Sequence, residues 1–234
     1  MAKKQYFLIV DTETTIADHV ADFGAVIVDK QGRIFAECGV LIADFYGKER
    51  LFHDKAANDS IWGYSGLIKR EENYRKMLET GSRMLASIAA VNRWLERAKA
   101  KYNPELTAYN LAFDLSKCAN SGIDLSIFGK NFCLWHSAAA HFAESKAYKQ
   151  FILDIHGFNA PTAFGNMSYK TNAEVMCAFI KGGEFLEEPH TALEDAKGWE
   201  LPILQAIVKR PKWREKSKAY SWRDYQVNQH FQPK

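Results

Sequence analysis

The chain has 234 residues, 47% of them hydrophobic, which is enough for a sizeable core and too apolar for a disordered chain. The net charge is only +3, yet residues 209–234 hold eight Lys or Arg against two acids, a net +6 that leaves the first 208 residues at −3. No apolar run approaches the roughly 20 residues that span a bilayer, and the apolar stretch after Lys3 and Lys4 meets Asp11 too early to serve as a signal peptide, so the expectation is a soluble, cytoplasmic protein.

KQYFLIVD (4–11) reads as a buried strand. ADFGAVIVD (21–29) and RIFAECGVLI (33–42), joined by the turn-forming KQG, follow it as a meander rich in β-branched and aromatic residues. Residues 43–68 keep no period and read as an irregular excursion. From 69 to about 101, Met77, Leu78, Met84, Leu85, Ile88, Val91, Trp94 and Leu95 recur at three- and four-residue spacing and predict two helices interrupted at Gly81. A strand over 105–110, a helix from Leu111 ended by Gly122, a strand over 131–136 and a helix over 137–147 come next. Residues 153–170 read as loop, 171–183 as a helix stopped by Gly182, and 191–210 as a long helix kinked or restarted at Pro202. The order β-β-β-α-β-α-β-α-α gives an α/β fold whose antiparallel meander is joined by later parallel strands. The separated Cys38, Cys118, Cys133 and Cys177 form no CxxC pair and predict free thiols.

Three short segments carry the chemistry. In FLIVDTETTI (7–16), Asp11 and Glu13 sit at the end of the first strand. Side chains at i and i+2 share a strand face, so the two carboxylates aim at one point while Thr12 faces away. Like charges that close raise each other's pKa, and a divalent cation offsets the repulsion. In AYNLAFD (108–114), Asn110 is placed to cap a helix and Asp114 falls in its first turn, where the dipole favours a carboxylate. In PHTALEDA (189–196), Pro189 keeps His190 extended ahead of the helix that carries Asp195. On one continuous helix His190 and Asp195 would stand about 140° apart, so they share a site only if His190 precedes the first turn. Taken singly, each segment reads equally well as surface charge or as a capped helix start.

Taken together, Asp11-x-Glu13, Asn110-x-x-x-Asp114 and His190-x-x-x-x-Asp195 resemble, in order and in element, the DEDDh branch of the DnaQ-like 3′→5′ exonucleases of the RNase H-like superfamily. The resemblance covers roughly residues 5–208 and implies an RNase H-like mixed sheet flanked by helices, with a nuclease domain over 1–208 and a basic, aromatic-containing extension over 209–234. It implies two Mg²⁺, replaceable by Mn²⁺, on Asp11, Glu13, Asp114 and Asp195. His190 would take the proton from the attacking water, its ordinary pKa of about 6.5 suiting that task. Thr12, Thr14, Asn110 and Phe113 are the implied substrate contacts. The implied reaction releases nucleoside monophosphates from the 3′ end of DNA that is single-stranded or frayed. An exoribonuclease and a non-catalytic module that binds strand ends stay open as alternatives. The implied partners are nucleic-acid 3′ ends and no membrane, with a polymerase or other protein held by the tail, and a homodimer, left open. Phe113, Phe164 and Tyr169 near the site, and Trp213, Tyr220, Trp222, Tyr225 and Phe231 in the tail, are candidates for stacking on bases. Where many family members carry Gly after the acidic motif, this chain has Ile16.

Overall fold

The structure, a computed structural model, describes residues 4–57, 60–219 and 221–227. Three long strands, β1 (Tyr6–Thr14), β2 (Val20–Asp29) and β3 (Ile34–Ile42), form the expected antiparallel meander. β4 (Met84–Ala86) lies parallel to β3, while β5 (Glu105–Ala108) and β6 (Asn131–Cys133) extend the other edge in parallel from β1. The resulting order β4-β3-β2-β1-β5-β6 is a mixed sheet flanked by helices, the RNase H-like architecture expected from the sequence.

β1 and β2 are central strands covered on both faces, which is why they read as nearly continuous apolar runs. Leu8, Val10, Ala25 and Ile27 face a core completed by α2 (Ile88–Tyr102) and α3 (Leu111–Asn120). Phe7, Ile9, Val26 and Val28 face the opposite core. That side is built by α4 (Leu134–Ala138), α5 (Lys146–Asp154), α6 (Ala173–Ile180) and α8 (Leu201–Val208). No helix among the described residues is long and apolar enough to cross a membrane.

Several expectations need correction. The region from 69 to 101 is not purely helical. α1 (Tyr64–Thr80) ends in a left-handed Gly81, and Met84 and Leu85 then form an exposed edge strand instead of starting a second amphipathic helix. Two adjacent apolar residues fit either period, and pairing with Val40 and Leu41 decides the matter. The strand at 131 stops at Cys133, and helix begins at Leu134. The helix expected over 137–147 breaks at Ser145, which caps a separate α5 running on to Asp154 by accepting from the Tyr148 N–H.

The last helix changes type ahead of Pro202, which falls in the first turn of its final α-helical segment. It begins as α7 (Ala192–Asp195), widens into one π-helical turn over Ala196–Glu200, and continues as α8. Leu201 donates to the carbonyl of Ala196, five residues back. Pro202 has no N–H for the Gly198 carbonyl, and that oxygen accepts instead from Lys181 Nζ at 3.2 Å and Cys177 Sγ at 3.7 Å. Beyond it the chain folds back onto the body. Trp213 lies edge-on to Phe132 and Phe7, with centroids 4.9 and 6.0 Å away, and Tyr225 is wholly buried. Tyr220, Phe231 and the Trp222 side chain lie outside the described residues.

Candidate active site

β1 carries Asp11 and Glu13 to the carboxyl edge of the sheet, and the neighbouring parallel strand β5 leads into α3, whose first turn holds Asp114. α7 crosses the same edge and supplies Asp195, with His190 just ahead of it. A cleft of about 660 Å³ opens where they meet and is lined by Asp11, Glu13, Asp114, His190 and Asp195 together with Thr12, Thr14, Asn110 and Phe113. All nine residues singled out in the sequence therefore reach one cleft, from the three separate segments 11–14, 110–114 and 190–195.

Three details differ from expectation. Thr12 does not turn away: its hydroxyl donates to Asp114 Oδ1 at 2.9 Å, tying β1 to α3 beneath the cleft. Asn110 occupies the cap position but is left-handed, at φ 83°, and its side chain caps nothing. His190 is likewise left-handed, at φ 52°, rather than extended. With Asp18 at φ 66°, three of the six non-glycine residues at positive φ line this cleft. Backbone strain gathers where function does. Asp18 also makes the sharp turn that follows the acidic motif, so Ile16 needs no glycine-like backbone and stands exposed. Of the aromatics proposed for stacking, Phe113 is exposed on the cleft with Lys117 Nζ 5.0 Å above its ring, and Phe164 is exposed, whereas Tyr169 is buried in the core.

The seat of α7 depends on residues the sequence analysis passed over. Gly24 lies opposite Asp11 across the β1–β2 ladder. A Cβ on Gly24 would stand 2.2 Å from the Ala192 carbonyl carbon, so only glycine lets the helix rest flat on the sheet. Thr191 makes no side-chain cap. Asp22 takes over, accepting from the Ala192 N–H at 2.9 Å while its other oxygen accepts from Arg83 Nε at 3.2 Å. Arg83, itself fully buried, also pairs with Glu194, so α7 is held from both sides.

The irregular excursion contributes as well. Phe52 donates to the Thr14 carbonyl, which lays the 50–52 stretch beside the end of β1. Trp62 then sets its ring 4.5 Å from the His190 imidazole, with the Arg70 guanidinium 5.0 Å over the indole.

Four further acids line the cleft, Asp18, Asp54, Glu188 and Glu200. Glu200 is only 3% exposed; one oxygen accepts from the Tyr109 N–H at 2.9 Å. In a plain α-helix Asp195 and Glu200, five apart, would point about 140° from each other. The π-helical turn between them adds the residue that brings both onto one face. Pro202 is the sequence signal that betrays this bulge.

Electrostatics follow from crowding acids in a half-dry cleft. Burial, then the charge of Asp22, pushes Asp11 up to about 7. Burial and Asp11 push Asp195 up to about 10 and raise Asp114, while Glu13 is raised by burial and Asp11 against the opposing pull of Arg70. Burial and the Glu174 charge take Glu188 to about 8. His190 moves the other way, down to about 4, because burial and then Arg70 disfavour the imidazolium. Its ordinary pKa, assumed from the sequence, does not survive in this setting.

The donor set fits a hard divalent cation. Glu13, His190 and Asp195 offer ligand atoms that all lie within 4.8 Å of one another, and His190 Nδ1 is 3.9 Å from Glu13 Oε1. Asp195 Oδ1 and Glu200 Oε2 are buried without a hydrogen-bond partner among the described residues, which leaves lone pairs for an ion to take.

No family model and no curated protein sequence matches the chain. Among solved structures, E. coli exonuclease I in complex with a 5cy-dT13 oligonucleotide aligns with 91% of this chain and 42% of that one, at 15% identity and a TM-score of 0.46. The chain spans less than half the length of that neighbour.

Proposed function

We propose that this chain is a metal-dependent 3′→5′ exonuclease that hydrolyses phosphodiesters at the 3′ end of single-stranded or frayed DNA and releases nucleoside monophosphates. The observation that supports it best is the convergence of Asp11, Glu13, Asp114, His190 and Asp195 in one cleft at the carboxyl edge of β1. Asp11, Glu13 and Asp195 would hold one Mg²⁺ or Mn²⁺, with Asp11 and Asp114 serving a second. Bound there, the cations would activate a water and neutralise charge building on the scissile phosphate.

The remaining work falls to the chain's own residues. His190, neutral at pH 7 and set against Trp62, offers a free ring nitrogen to accept the water's proton. A base with so low a pKa is a weak acceptor, and the approach of an anionic phosphate raises it toward a more useful value. Phe113 presents an exposed face for a terminal base, and Lys117 beside it supplies positive charge for the backbone. Thr12 fixes the Asp114 carboxylate so that the two sides of the cleft keep their spacing.

The direct test incubates the protein with 3′- and 5′-labelled single-stranded DNA and RNA, with Mg²⁺, Mn²⁺ or EDTA, alongside Asp11→Asn and His190→Ala. A metal-dependent ladder from the 3′ end, lost in EDTA and in Asp11→Asn, is the expected result, and the better substrate names the preferred sugar. Tight strand binding without cleavage under every condition would replace this reading with that of a binding module.

A further inference from the structure

Of the cleft acids that the motifs do not account for, Glu200 is the most deeply buried. It reaches the cleft only because the helix carries a π-helical turn, and its two oxygens have different fates. Oε1 accepts from the Tyr109 N–H at the junction of β5 and α3, immediately before the turn that bears Asp114. Oε2 is fully buried and has no donor among the described residues. A neutral amide would serve Tyr109 equally well, so that bond does not explain a carboxylate. Withdrawing a carboxylate from water is costly unless a proton or a cation satisfies it. The acidic charges acting most strongly on Glu200 are those of Asp11 and Asp114. Neither belongs to the Glu13–His190–Asp195 trio, whose ligand atoms lie within 4.8 Å of one another.

We propose that Glu200 is an additional cation ligand of this cleft, its Oε2 completing the shell of the ion served by Asp11 and Asp114 while its Oε1 locks the Tyr109–Asn110 junction. The assignment rests on the metal-dependent reading above and adds to it a fifth carboxylate. A third carboxylate gives this second position a hard-oxygen set of its own, and a rigid one, since Glu200 is buried and anchored through Tyr109.

The test is Glu200→Gln in the full chain, which keeps an acceptor for Tyr109 and removes only the charge. Mn²⁺ titration followed by electron paramagnetic resonance counts bound ions without recourse to activity. Wild type should bind two Mn²⁺. Glu200→Gln should keep one at unchanged affinity and bind the other at least tenfold more weakly, with an unaltered circular dichroism spectrum. Equal binding of both ions by wild type and variant would overturn the proposal and leave Glu200 as a buried acceptor for Tyr109. If the variant does not fold, anomalous scattering from Mn²⁺-soaked wild-type crystals decides: an ion in direct contact with Oε2 supports the assignment, and two ions that both avoid it refute it. Two-ion binding with the Glu200→Gln deficit, in a protein that cleaves no oligonucleotide, would uphold the ligand and overturn the nuclease. A wild type that binds one ion or none would overturn the ligand assignment.

Discussion

Gly24→Ala probes the seat on which the cleft depends. The added Cβ would meet the Ala192 carbonyl carbon at 2.2 Å and the Leu193 nitrogen at 2.3 Å, against an ordinary contact of 3.4–4 Å. β2 is bonded on both sides by β1 and β3, so α7 must give way, by about 1.2 Å. Overpacking of this kind costs ~1–3 kcal/mol. Stretching the bond between the Ala192 N–H and the Asp22 carboxylate costs a further ~1.5–3 kcal/mol. Gly24 is not left-handed, so alanine recovers ~0.4–1 kcal/mol by restricting the unfolded chain. The net expectation is a loss of roughly 2–5 kcal/mol out of the ~5–15 typical of a domain, read by urea unfolding of the metal-free protein. Weaker Mn²⁺ binding should accompany it as Asp195 retreats. Gly39→Ala is the control: there the nearest atoms, Leu193 Cδ2 at 2.6 Å and Arg83 Nη1 at 2.9 Å, belong to side chains and not to backbone, and the loss should be smaller. A Gly24→Ala protein with the wild-type urea midpoint and wild-type Mn²⁺ affinity would refute the close-approach argument.

Other consequences are equally measurable. The raised carboxyls keep protons in the folded chain that the unfolded chain releases above about pH 4, so metal-free stability should fall as pH climbs through about 7 for Asp11, 8 for Glu188 and 10 for Asp195. In EDTA the melting temperature should therefore drop between pH 5 and 9, and saturating Mg²⁺, which binds the deprotonated forms, should flatten that slope; a metal-free melting temperature that rises over this window contradicts the burial argument. Thr12→Val removes the side-chain donor to the buried Asp114 and should cost ~1–3 kcal/mol in urea unfolding; a loss below ~0.5 kcal/mol would show the bond to be dispensable. Trp213→Ala empties a slot against Phe7 and Phe132 and should cost ~3–5 kcal/mol, a fall of roughly 6–20 °C; a fall of less than ~3 °C would return residue 213 to the solvated tail.

The meander and the parallel strands β5 and β6 were legible from their β-branched and aromatic runs and the turn at KQG, whereas β4 was read as helix. The nine site residues were read in the sequence only through the resemblance to the DEDDh motifs, since each segment alone reads as surface charge or a capped helix start; the structure brings all nine to one cleft. What escaped has no strong local pattern. Gly24 looks like any glycine until the β1–β2 register places it opposite Asp11. Asp22 and Arg83 lie 61 residues apart and meet only because β2 and the turn after α1 do. Glu200 was missed because a constant 100° per residue sends it to the wrong face of the helix, and Trp62 because residues 43–68 carry no period at all. The tail's aromatics were read as candidates for stacking on bases, yet Trp213 and Tyr225 belong to the core.

The widened turn before Pro202 has a consequence for how this chain tolerates insertions and deletions. Removing one residue from a buried helix ordinarily rotates everything beyond it by about 100° and is ruinous. Here the helix already carries a surplus residue, so excising Gly198 would leave the faces of α7 and α8 in their present directions, Asp195 and Glu200 now separated by four. The same excision would drive the Pro202 ring against the carbonyl four positions back, at a cost of ~3 kcal/mol. Replacing Pro202 by alanine relieves that clash. Deletion and replacement together should thus be milder than the deletion alone, a compensating pair. The geometry of the acidic face would then be stored in a chain length and an imino acid held in balance, and in no single side chain.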